Sequence, residues 1–361
     1  MPERRKTKIK VLMVGPSKDA KGGIATIAQL YLNSDLMKLA DINYIMSYFD
    51  GSVFRKIIVA VRAYISFLSL LILKSPDIIH VHSSSGVSFY RKMLFLLTAK
   101  IFQKKTIFHL NASNFMQFYN RTALNRFFVQ MTLNLVDRIL VLSRSIKNDI
   151  ENCTKNQNIK ILYNPISPDM FSFSSNKKQK QQESVVLFMG RLGKRKGIYD
   201  LLEAIPLVVR ECKEVKFILC GDGELENVQC ICHKKKIGNN VEIAGWVVGK
   251  DKVAYFKRGD IYVLPTYHEA LPLSILEAMA VGLPVVSTPV AGIPDAVEDG
   301  VNGFLIEPGD IVALANRIIL LLQNDKLRIE MGRNNIKKVK EKFDIDLIIK
   351  KVLQEYKSLL T

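Results

Sequence analysis

Two glutamates eight residues apart, Glu269 and Glu277, frame the part of this chain best suited to chemistry. Between them a Pro-containing turn, residues 270–274 (ALPLS), opens what reads as a helix. A helix start presents free backbone N–H groups and the positive end of the helix dipole, so it attracts anions. A carboxylate on either side of such a spot accepts hydrogen bonds from hydroxyls. The combination points to a ligand that is both phosphorylated and polyhydroxylated, such as a sugar nucleotide. Read without their surroundings, Glu277 is a favourable acid near a helix N-terminus and Glu269 a solvated loop residue.

Other residues suit the same kind of ligand. Arg191 and Lys196 lie on either side of a short loop after an apolar run. Such a pair can hold a diphosphate, Arg through its planar fork and Lys as a point charge. Gly22 and Gly23 follow the first apolar run, where two glycines let the backbone approach a ligand and offer it N–H groups. His109 ends the strand-like run 106–110, on the open cleft side if strand ends line the site. His80 and His82 share one face of the run 76–82, His80 reading as a core residue and His82 as an acceptor-side candidate with Ser83. The five cysteines include no CxxC pair and read as reduced cytosolic thiols. Asp344-Ile-Asp346 reads as a helix cap or surface pair, so no metal site is expected.

Strands must hold these groups in place. Apolar runs at 8–14, 76–82, 106–110, 138–142 and 159–162 alternate with segments of helical length around 55–73, 88–103 and 121–135. That is a βαβ series, which builds a parallel sheet covered on both faces by helices. The series restarts after the polar tract 172–184, with strands expected at 185–189, 215–220, 241–243, 261–264 and 284–287. Residues 310–323 and 325–361 read as helical. The expected class is α/β, two Rossmann-like doubly wound domains with a ligand cleft between them. Boundaries fall at 1–165 for the first domain, 166–182 for a linker and 183–340 for the second. Residues 341–361 form a last helix that can pack back on the first domain.

Composition agrees with that division. A chain of 361 residues exceeds one ordinary core. Its 48% hydrophobic and 24% charged content is that of a globular protein. The net charge of +18 is uneven. Residues 1–165 carry 24 Lys and Arg against 9 Asp and Glu, and the rest carry 28 against 25. A polyanionic partner surface is implied for the first domain. The N-terminal basic residues run straight into a strand whose apolar stretch is too short for a signal peptide, and no cleavage-like site follows, so none is expected.

In residues 188–198 (FMGRLGKRKGI), 219–224 (LCGDGE), Gly245-Trp246, the Glu269/Glu277 block, 291–295 (AGIPD) and 303–310 (GFLIEPGD), the chain resembles the retaining glycosyltransferases of family 4. The order and spacing carry the resemblance. Gly22-Gly23, the 76–82 run and Tyr163-Asn164-Pro165 extend it through most of the chain. The family has the GT-B fold. The resemblance implies that Glu277 binds the ribose hydroxyls of a nucleotide-sugar donor. It further implies that Glu269 contacts the transferred sugar near its reacting carbon, and that Arg191 and Lys196 neutralise the leaving diphosphate. The backbone from Ala270 to Ser274, with Leu271 and Leu273, would meet sugar and phosphate oxygens. Gly22 and Gly23 would donate to the distal phosphate, and His109 would contact the sugar and the acceptor side. Gly221 and Trp246 would stand near the base. Ala291 departs from the family, many members of which have glycine there. No cofactor is expected beyond the donor co-substrate, and no metal.

The segment 57–73 is apolar but contains Arg62, and a charge inside a span is costly. It reads instead as a helix of a basic domain lying on an anionic membrane surface. No nucleic-acid motif accompanies the charge. The expected function is transfer of a sugar to a hydroxyl acceptor, a lipid-linked saccharide at the cytoplasmic face, in cell-surface polysaccharide assembly. Two alternatives stay open: a GT-B sugar-nucleotide epimerase, or a catalytically silent membrane-bound scaffold.

Overall fold

The apolar runs become two six-stranded parallel sheets in a computed structural model that describes residues 8–20, 22–171 and 183–361. The first sheet contains β1 (Lys10–Gly15), β2 (Asp41–Met46), β3 (Ile78–Ser83), β4 (Lys105–Leu110), β5 (Arg138–Val141) and β6 (Ile159–Ile161). Their order is β2-β1-β3-β4-β5-β6. The second contains β7 (Ser184–Met189), β8 (Val215–Cys220), β9 (Val241–Gly245), β10 (Ile261–Leu264), β11 (Val285–Ser287) and β12 (Gly303–Leu305), ordered β12-β11-β10-β7-β8-β9. Central strands are buried on both faces, which is why β3 and β5 are buried at every position. Both sheets reverse strand order once, beside β1 and beside β7. Ligands in such sheets bind at the carboxyl ends of the strands flanking that reversal.

The sequence expectation missed β2 and β12. Both are edge strands with one neighbour. β2 is only partly buried and has no continuous apolar run, and β12 is three residues long. The 172–182 part of the expected linker lies outside the described residues.

Contacts divide the chain into residues 1–165 with 345–361, and residues 166–344. The first unit is therefore discontinuous. Its last helix, Ile345–Leu360, buries Ile348, Ile349, Val352, Tyr356 and Leu359. Spacings of one, three and four residues along that set make one apolar stripe. Arg138 of β5 forms an ion pair with Glu355 on the same helix.

The Val53–Leu73 helix starts with Ser52, whose hydroxyl accepts from the Arg55 N–H. It buries only Ala63, Phe67 and Leu71. Phe54, Ile57, Val61, Ile65 and Ile72 are exposed. Their spacing puts them on a second stripe, turned away from the buried edge. At 21 residues this helix is long and apolar enough to cross a membrane by length and composition.

Candidate functional site

In the second unit the loops after β7 and β10 flank the strand reversal, and they carry Arg191, Lys196 and Glu269. They are bound tightly together. The Arg195 carbonyl accepts from the Tyr267 N–H at 2.9 Å and from the Thr266 hydroxyl at 2.9 Å. Gly197 has φ 72°, and a Cβ there would stand 1.8 Å from the Pro265 carbonyl oxygen. Only glycine allows that approach. From below, the Ser287 hydroxyl donates to the Leu264 carbonyl and the Thr288 hydroxyl to the Thr266 carbonyl, both at 2.6 Å.

This frame joins Lys196 and Glu269 in an ion pair with both side chains largely buried. Arg191 is exposed on the same loop. Gly221, after β8, packs so closely on the β7 loop that a Cβ would lie 1.8 Å from the Gly190 carbonyl oxygen. The Leu273–Ala280 helix has Pro272 at its N-cap and no side-chain cap. Its opening residues Leu273 and Ser274 thus begin the helix as the sequence predicts, with Leu271 buried in the preceding loop. Glu277 follows in the second turn, 3% exposed. One of its oxygens accepts from Lys252 at 2.5 Å, and the other has no partner among the described residues. Trp246 is 45% exposed, so it is not a core residue. Ala291 adopts φ 48°, a left-handed conformation that favours glycine.

Lys252, in the Gly249–Arg258 helix, was not foreseen. One lysine among several in a basic amphipathic helix carries no sequence signal. Only packing brings it to Glu277.

In the first unit Gly22 is the N-cap of the Gly23–Leu32 helix, with φ 125°. Both glycines are exposed, so the backbone at this helix start is open to a ligand. His109 differs from the expectation of an open strand end, because its side chain is 1% exposed. It lies opposite His82 in the β3–β4 register. With His80 these residues form one cluster, its nitrogens within 4.8 Å of one another. Nδ1 of His80 meets the Tyr356 hydroxyl at 2.7 Å, and Nε2 of His80 meets Nδ1 of His109 at 3.2 Å. The His80 and His109 rings lie side by side, 19° apart in plane, while His82 packs against both. Burial pulls His109 down to about 3 and lowers His80 and His82 well below the usual imidazole range. Lys92, 2% exposed and donating to Ser47, adds a further unfavourable field at His82. His80 and His109 bond to each other, while neither nitrogen of His82 has a partner among the described residues. Asp344 and Asp346 flank the start of the last helix, distant in sequence from either group.

Two parallel-sheet units with ligand-type groups at the strand reversals define the GT-B class. The structure of Anabaena Alr3699/HepE in complex with UDP has the same fold, with a TM-score of 0.78 over 97% of this chain and 100% of that chain, at 17% identity. The chain belongs to the family-4 glycosyltransferases: the model for glycosyl transferases group 1 matches residues 170–338, and that for glycosyltransferase family 4 matches residues 30–170. The capsular polysaccharide biosynthesis glycosyltransferase CapM of Staphylococcus aureus is 28% identical over 234 residues, 62% of this chain and 62% of that protein. The poly(ribitol-phosphate) alpha-N-acetylglucosaminyltransferase of Staphylococcus aureus (strain COL) is 28% identical over 295 residues, 81% of this chain and 58% of that protein. The chain thus spans less than two thirds of the length of these relatives.

Proposed function

We propose that this protein transfers a sugar, with retention of configuration and without a metal ion, from a nucleoside-diphosphate sugar to a hydroxyl of a saccharide acceptor. The observation that carries this reading is Glu277: a buried carboxylate near a helix start, one oxygen held by Lys252 and the other unpartnered among the described residues. A buried acceptor of this kind calls for a donor, and a ribose hydroxyl supplies one. Lys196, Arg191 and the opening of the Leu273–Ala280 helix provide positive charge for the diphosphate as it leaves. Glu269 positions the sugar. In the first unit the Gly22 and Gly23 amides suit a phosphate, and His109 suits a hydroxyl oxygen. No Asp or Glu is assigned as a covalent nucleophile. The departing phosphate takes the acceptor proton, and the protein contributes mainly position and field.

The names of the relatives support polysaccharide assembly as the setting, and the Alr3699/HepE complex supports UDP as the first base to try. UDP-, GDP- and ADP-sugars are to be compared by thermal stabilisation and slow hydrolysis, with EDTA throughout. One sugar nucleotide should raise the melting temperature, and Glu277→Ala should weaken its binding about 10- to 100-fold, one hydrogen bond to a charged group being lost. No stabilisation by any donor, or equal binding by Glu277→Ala, refutes the donor site. Turnover only after divalent ions are restored refutes metal independence.

The acceptor is read as lipid-linked and the protein as peripheral on the cytoplasmic face. The exposed apolar stripe of the Val53–Leu73 helix, flanked on one side by the exposed Arg55 and Arg62, suits an anionic bilayer surface. Each well-placed basic residue adds about 1 kcal/mol there. In vesicle sedimentation the protein should pellet with anionic lipid at low salt and stay soluble with neutral lipid. Equal binding to both, or to neither, defeats the membrane reading.

A further inference from the structure

We propose that Tyr356 and His80 act as positioning residues that fix the tautomer of His109, so that His109 presents an Nε2–H donor. The inference rests on the reading of His109 as a group that meets substrate, and it identifies which proton that group carries. The argument starts at the far end of the chain of bonds. The Tyr356 hydroxyl is fully buried, and its one hydrogen-bond partner among the described residues is Nδ1 of His80, at 2.7 Å. A tyrosine hydroxyl has one proton to donate, and leaving it unused in a buried place costs about 1–3 kcal/mol. The hydroxyl therefore donates, and Nδ1 of His80 is the acceptor.

The remaining assignments follow from the two-nitrogen chemistry of a neutral imidazole. A ring that accepts at one nitrogen carries its proton on the other. His80 thus holds its proton on Nε2 and donates it to Nδ1 of His109 across 3.2 Å. His109 accepts there, so its own proton sits on Nε2. That atom is buried and has no partner among the described residues. The two rings are nearly parallel, 19° apart with centroids 5.4 Å from each other, and the 3.2 Å between the facing nitrogens is a hydrogen-bond distance. Burial keeps both rings neutral, so neither contributes a second proton that would break the sequence. The run ends in a neutral donor, suited to an oxygen that carries or develops negative charge. It does not end in a base.

This assignment gives the last helix a part in the chemistry. Tyr356 is 276 residues from His80 along the chain, and it reaches β3 only because residues 345–361 return to the first unit.

Two measurements separate the relay from the functional reading beneath it. Long-range nitrogen–proton NMR correlations on the ¹⁵N-labelled, ligand-free protein report each histidine tautomer directly. His80 and His109 should both appear as neutral Nε2–H rings. In Tyr356→Phe, which keeps the ring and loses the hydroxyl, both should become tautomer mixtures. A His109 protonated on Nδ1, or tautomers unchanged in Tyr356→Phe, overturns the relay whatever His109 touches. Kinetics come second, followed as UDP release from UDP-sugars. Tyr356→Phe should lower turnover about tenfold with donor KM within about twofold, as expected for a group acting after binding. His109→Gln, whose amide places an N–H near the Nε2 position, should keep more turnover than His109→Ala. Equal loss in the two refutes the donor role and leaves the spectrum to judge the relay. Should Tyr356→Phe not fold, the wild-type spectrum still decides.

Discussion

Replacing Lys196 with alanine is expected to cost both stability and turnover. Lys196 and Glu269 form an ion pair whose side chains are 14% and 9% exposed. Removing the ammonium leaves a carboxylate nearly out of water with no counter-charge, a change that costs about 3 kcal/mol. The denaturation midpoint should fall accordingly. The same ammonium is the positive charge read here as facing the leaving diphosphate. Loss of one such preorganised group lowers turnover about 10²–10³-fold. A double variant separates the two effects. Lys196→Met with Glu269→Gln removes both charges and keeps the bulk, so most of the stability should return while turnover stays low. If the double variant recovers activity together with stability, Lys196 is a structural residue only. If Lys196→Ala melts like the wild type, the ion pair contributes nothing in solution.

The second large effect is acid sensitivity. His80, His82 and His109 are at most 1% exposed and titrate below the ordinary imidazole range, chiefly because burial disfavours the charged ring. In the unfolded chain each titrates near about 6.5. Below that point the unfolded state binds protons that the folded state refuses, so stability falls as pH falls. Above it the three rings make no difference to the slope. For His109 the loss continues down to its folded value of about 3. Each fully engaged ring contributes about 1.4 kcal/mol per pH unit, so three give about 4 kcal/mol per unit. Urea midpoints measured from about pH 7 down to about pH 5 should therefore drop steeply, and His82→Phe should remove about a third of the slope. A flat profile over that range would show that the rings are protonated in the folded protein, contrary to their burial.

Legibility in the sequence followed the length of apolar runs and the strength of local chemistry. β3, β7 and β8 are long and almost wholly buried, and each was expected within about two residues of its place. β2 was not expected, because an edge strand with exposed Asp41 and Met46 does not have the composition of a buried one. The carboxylates, the cationic loop and the glycine pair were readable because each type sits beside a turn or helix start that gives it meaning. Their partners were not. Lys252 reaches Glu277 from a helix with its own array of charges, and Tyr356 reaches His80 from the last helix. His109 was expected at an open strand end and is buried. The packing of Tyr31 and Tyr356 around the histidines encloses that face of the sheet, and no local pattern announces it.

The return of the last helix to the first unit also bears on how the chain is made. Translation delivers β1 to β6 first, yet residues 345–361 of the same unit come last. The intervening 166–344 unit is contiguous and can finish on the ribosome as soon as it has emerged. Domains ordinarily mature in the order of their synthesis. Here the first to appear must hold β3 and β4 without Tyr356, and Arg138 without Glu355, until residues 345–361 have been made. The strands that carry His80 and His109 are then completed only after the second unit has been made, so a nascent chain cut short before residue 345 would carry a finished second unit and a first unit missing its closing helix.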